Sequence, residues 1–166
     1  AAFPLPLTNV RGRVVVADDH ATFENVTAEH GNARFTLDGE LTQTPARTTG
    51  SARLVAIGLT FDEDLRQAVP WRWRRTWNNL QPAGAVNLDL PGIRYEREAS
   101  EPGRWQIDGA VSFDGLAIST GVQLSDGVGT VRGKALLNGP APGLTLAADL
   151  ALDRIALSPL LDHRAA

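Results

Sequence analysis

The sequence predicts a mainly β fold: an antiparallel meander interrupted by one short helical insert. Three observations carry this. From Val10 to Leu157 apolar and polar residues alternate in short runs, and alternation sends successive side chains to opposite faces of a strand. Gly, Asp, Asn or Pro closes each run, as turns require. One stretch, Asp62 to Leu80, abandons period two for helical spacing.

The first block spans residues 7–61 and opens as a three-stranded meander over Leu7 to Leu41. Val14 and Val16 face opposite Val15, and Asp18-Asp19 supplies a turn. Thr22 to Val26 is the return strand, and His30-Gly31-Asn32 turns again. Ala33, Phe35 and Leu37 then face one way and Arg34, Thr36 and Asp38 the other. Thr42 to Thr49 reads as a loop around Pro45. Ser51 to Phe61 is a fourth strand, with Val55, Ile57, Leu59 and Phe61 expected on one face.

The helical insert covers residues 62–80. Asp62 suits an N-cap, and Glu63 and Asp64 suit the positive end of a helix dipole. Leu65, Val69, Trp73, Trp77 and Leu80 recur at helical spacing. Pro70 is expected to divide the stretch into two short helices, lying in the first turn of the second.

The second strand block spans residues 83–157. Val86, Leu88 and Leu90 alternate with Asn87 and Asp89. Glu101-Pro102-Gly103 is a turn. Trp105, Ile107, Gly109, Val111 and Phe113 share one face, and Asp114-Gly115 marks a bulge or tight turn. Further strands are expected over Ala117 to Leu124, Val128 to Leu137 and Leu144 to Leu152. Val-Arg-Gly followed by a basic residue occurs at Val10 and again at Val131, a weak internal echo.

Composition narrows the function classes. Hydrophobic residues make up 43% of the 166 and charged residues 21%, enough apolar content for a core. The net charge of -3 argues against a nucleic-acid partner. Absence of cysteine removes disulfides, thiolate nucleophiles and Cys-ligated zinc. No run approaches the roughly 20 apolar residues of a membrane span. A chain starting Ala1-Ala2-Phe3-Pro4 reads as a segment of a longer protein whose targeting or anchoring part lies elsewhere.

No point chemistry stands out, so a non-enzymatic role is expected, with no metal and no cofactor. His20 and His30 fall in turns and His163 in the tail, without metal-ligand spacing, and each reads as a solvated turn or tail histidine. The acidic pairs and Asp-Gly steps read as turn chemistry rather than calcium loops. No acid pair is singled out for glycoside hydrolysis, and no nucleophile elbow is present. The segment Trp71 to Trp77 is the most unusual. Trp71, Arg72, Arg74 and Arg75 are its candidates for membrane or headgroup contact, weighed against a helix that merely buries Trp73 and Trp77. The pattern alone fits a closed sandwich or barrel core.

A set of features resembles the AsmA-like family of bacterial envelope proteins. They are the opening Leu7-Thr8-Asn9-Val10-Arg11-Gly12, Phe23 to Ala28, Gly31 to Gly39 and the helix from Asp64 to Trp77. Leu80-Gln81-Pro82-Ala83-Gly84-Ala85-Val86-Asn87-Leu88 and a later strand with Trp105 complete it. The resemblance implies a strongly twisted antiparallel sheet forming an open groove, apolar inside and polar outside, that carries phospholipid acyl chains in the periplasm or cell envelope. It implies adjacent modules of the same protein as further partners and a membrane anchor outside this segment. The expected lining is Val86, Leu88, Leu90, Ile107, Val111, Phe113, Leu144, Leu146 and Leu150, with the helix Leu65 to Leu80 plugging or gating one end. The alternative is a closed β-sandwich serving as a structural or protein-interaction module.

Overall fold

A computed structural model of the chain describes residues 5–69, 71–119, 122–138 and 143–159. Eight antiparallel strands run in sequence order across one sheet: β1 (Thr8–Ala17), β2 (His20–His30), β3 (Ala33–Gln43), β4 (Arg47–Thr60), β5 (Ala83–Glu98), β6 (Arg104–Ser119), β7 (Val122–Asn138) and β8 (Gly143–Pro159). Among the described residues each strand pairs only with its chain neighbours, and the sheet is open, with β1 and β8 as its edges. The mainly β meander is therefore as the alternation predicts, and the architecture is a single open sheet rather than a sandwich. Two short helices, α1 (Glu63–Ala68) and α2 (Trp71–Leu80), join β4 to β5.

Cross-strand pairing continues one apolar face across the sheet, because residues directly opposite in an antiparallel pair share a face. One row runs Phe23, Gly39, Ala52, Ile93, Ile107, Ala135 and Leu146 from β2 to β8. A second runs Phe35, Ala56, Leu88, Val111, Val131 and Leu150. The other face carries cross-strand ion pairs: Arg13 with Glu24 at 3.5 Å, Arg53 with Asp89 at 3.6 Å and Lys134 with Asp108 at 3.3 Å. Exposed pairs of this kind contribute about 0–1 kcal/mol each and chiefly keep that face wet.

Glycines on the apolar face let the sheet bend towards it. A methyl group at Gly109 would collide with the Asp89 carbonyl and lie 2.7 Å from Leu90 Cδ2; at Gly133 it would collide with the Ala147 carbonyl and lie 2.8 Å from Ala148 Cα. The two glycines are direct partners, opposite Ala148 on the next strand. This small-residue row allows the neighbouring backbones to close in, and the sheet curls into a trough. Phe35 on β3 and Val131 on β7 consequently pack against one cluster although three strands lie between them.

Bulges decide which residues reach the trough, and here the sequence expectation for β4 fails. Val55, Ile57, Leu59 and Phe61 do not share a face. Val55 and Ile57 lie on the polar face beside Asn87, Asp89 and Ser112, with Ile57 60% exposed. A bulge at Ile57-Gly58, where Gly58 has φ +71°, then shifts Leu59 into register with Val86 on the apolar face. The Gly58 N–H, displaced from the ladder, donates to Asn87 Oδ1 at 2.8 Å. Strict alternation cannot register the extra residue. The expected bulge at Asp114-Gly115 is present, with Gly115 at φ +77°.

Three boundaries also differ. The stretch 117–124 is not one strand: β6 continues to Ser119 and β7 begins at Val122, with Ile118 paired to Leu124. The loop expected over 42–49 shrinks to residues 44–46, because Thr42, Gln43, Thr48 and Thr49 all pair in the ladder. The second block reaches Pro159 rather than ending at Leu157. Polar β-branched threonines extend strands that an apolar pattern alone cuts short.

Candidate functional site

The trough has a capped end and an open end. At the capped end the insert folds over the sheet. Asp62 is the N-cap of α1, its Oδ1 accepting from the Leu65 N–H at 2.8 Å. Val69 leaves the helix with ψ 131°, as the residue before a proline should. Pro70 itself lies outside the described residues, but the division into two helices falls where it was expected. Leu65 and Ala68 are buried, and Leu65 joins Ala33, Leu59, Val86 and Phe113 in the core cluster. Trp77 of α2 meets Phe61 edge-on, ring centroids 5.5 Å apart at 67°.

The expected lining divides between the two ends. Val86 and Phe113 are buried in the capped end, where Leu65 covers them, and Leu88 and Val111 pack at its margin. Leu90 and Ile107 are half-buried along the trough floor. Leu146 and Leu150 stand on the β8 lip, 64% and 59% exposed. The Leu144 backbone pairs with Leu137, but its side chain lies outside the described residues.

Several lining residues were missed by the sequence reading. Towards the open end, Phe23, Leu37, Leu41, Ile93, Tyr95 and Trp105 line an apolar cavity of about 170 Å³. Tyr95 and Trp105 are tilted at 42° with centroids 4.6 Å apart, and Trp105 is half-exposed. The signal was present: Tyr95 lies on the apolar face once Pro91-Gly92 is allowed its register shift between β5 and β6. Val14, Val16 and Leu152 extend the exposed apolar surface along both lips.

Of the headgroup candidates, Arg74 has a structural task. Its Nε donates to the Val69 carbonyl at 3.2 Å and its Nη2 to the Gln67 carbonyl at 2.8 Å, capping the C-terminal end of α1 from α2. Arg75 is exposed on α2. The side chains of Trp71, Arg72 and Trp73 lie outside the described residues. On α1, Arg66 and then Gln67 hydrogen-bond Glu63 and pull its carboxyl down to about 2.

The reading of His30 as a solvated turn histidine is overturned. It is 6% exposed, with Nδ1 2.8 Å from the Pro6 carbonyl oxygen and Nε2 3.0 Å from Asp62 Oδ2. Sequence could not show that the insert folds back over the end of β2. His20 is half-buried, its Nδ1 3.1 Å from Thr42 Oγ1, and His163 lies outside the described residues. Among the described residues no three His, Cys, Asp or Glu side chains converge as a metal site, and no helix is long and apolar enough to cross a membrane.

No family model matches the sequence, and no curated protein or solved structure matches the chain.

Proposed function

We propose that this chain is a non-enzymatic lipid-holding module whose trough shelters acyl chains while headgroups stay in water. The observation that carries the reading is the uncovered apolar face continuing over eight strands. A sheet face that serves only as a core is covered by a second layer, whereas here Leu146 and Leu150 remain largely exposed. Monomeric proteins rarely leave large apolar patches without a partner.

The dimensions suit the ligand. Strands of 16–17 residues such as β5 to β8 are about 55 Å long at roughly 3.3 Å per residue. One leaflet's hydrocarbon is about 15 Å deep, half a bilayer core. A chain therefore fits within the trough beyond the capped end, and each buried CH₂ contributes about 0.8 kcal/mol. Phospholipid is the proposed ligand. Following the resemblance to AsmA-like proteins, the module is one stretch of a longer conduit in a bacterial periplasm or envelope, adjoining further modules of the same protein.

Native mass spectrometry of the purified chain, followed by organic extraction, tests this. Phospholipid at defined stoichiometry is expected. A lipid-free, monodisperse monomer that also fails to take up a long-chain fatty-acid probe overturns the proposal.

A further inference from the structure

His30 ends β2 where three pieces of chain converge: the segment Leu5-Pro6, the end of β4 and the start of α1. Both of its ring nitrogens face groups that only accept. Nδ1 meets the Pro6 carbonyl. Nε2 meets the Asp62 carboxylate, which also accepts from the Leu65 N–H at 2.8 Å and the Thr60 hydroxyl at 3.2 Å. A neutral imidazole has one N–H and can satisfy one such partner, while imidazolium has two and satisfies both. We infer that His30 is a proton-operated latch: protonated, it ties both the Leu5-Pro6 segment and the helical insert to the sheet; deprotonated, it holds only one and loosens the cap over this end of the trough.

The surroundings favour the closed form. Among the described residues the charged groups acting on His30 are Asp62 and Asp64, both on the insert, and the Pro6 carbonyl faces its other ring nitrogen. Burial works against the imidazolium, but the Pro6 hydrogen bond and then the Asp62 bond and the two carboxylate charges outweigh it, so His30 titrates above its ordinary value. Burial likewise opposes the Asp62 carboxylate. The Leu65 N–H, His30 and Thr60 together outweigh that and hold Asp62 below its ordinary value.

Both tied segments reach the core. Leu5 packs against the core cluster, and Leu65 is part of it. Freeing either thins the cap over Val86 and Phe113. For the lipid-holding module proposed above, on which this consequence alone rests, the latch regulates whether an acyl chain can enter or leave at the capped end.

The experiment uses the full chain without lipid. Imidazole NMR follows His30 from pH 5 to 8, while hydrogen exchange, corrected for intrinsic rates, follows the Leu65 N–H and its neighbours in α1. His30 is expected to titrate above about 6.5. Protection of α1 is expected to fall at least roughly tenfold through that titration, the size of one lost charge-assisted hydrogen bond. Asp62→Asn retains an N-cap and should lower the His30 titration and abolish the pH dependence of protection. A His30 titrating at or below about 6.5, or α1 protection that ignores its titration, overturns the latch. Release of a long-chain fatty-acid probe is measured alongside at pH 5 and 8. Protection that follows His30 without any probe binding supports the latch and sinks the lipid reading instead.

Discussion

The two ends of the trough are built from the same alternating strands and differ in what covers them. At one end Val86 and Phe113 meet Leu65 and become core. Towards the other end Trp105, and along the β8 lip Leu146 and Leu150, occupy apolar-face positions too and remain in the open. Strand pattern fixes the face; a separate element decides whether that face becomes interior or stays exposed. Twenty or so residues inserted between β4 and β5 make that decision here.

The contrast can be broken first at the capped end. Phe113→Ala should cost about 3–5 kcal/mol in urea unfolding, because it empties a packed site beneath the insert. An effect as small as that of a lip substitution would mean the two ends are equivalent after all. Next is the curl. Gly133→Val forces the β7 and β8 backbones apart and should cost about 1–3 kcal/mol. It should also weaken probe binding by flattening the trough.

The capped end should also sense pH. His30 titrates higher folded than unfolded, so its contribution is complete below about pH 6.5 and lost as pH rises through the folded value. Asp62 titrates lower folded than unfolded, so its contribution is present above about pH 4 and lost as pH falls through the folded value. The urea midpoint should therefore peak between about pH 4 and 6.5, with Asp62→Asn flattening the profile. A midpoint unchanged from pH 5 to 8 contradicts this. The smallest stability effect belongs to the open lip. Leu150→Asp should change stability by no more than about 0.5 kcal/mol yet reduce fatty-acid probe binding several-fold. A large stability loss there would reveal a hidden core.

Much of the fold was legible because period two survives wherever the ladder is regular. The faces of β1 and β3, the face shared by Trp105 to Phe113, the Asp62 cap and the division of the helix around Pro70 all follow from local rules. What was not legible lies where locality fails. The Ile57-Gly58 bulge moves a strand's face by one residue and leaves no mark in the hydrophobic pattern beyond a glycine. His30 depends on a partner 32 residues away, and its burial on an insert folding back over the sheet. The lining was only half legible, since nothing local distinguishes Phe113 beneath the insert from Leu150 on the lip.

The strictly sequential strand order has a consequence of its own. Every pairing joins chain neighbours, so no strand waits for a distant segment before it can dock, and closure entropy stays low at each step. Such a sheet behaves as a one-dimensional array. Splicing in another hairpin rethreads nothing and widens the sheet by about 4.8 Å per strand, so its breadth is a quantity evolution can adjust two strands at a time.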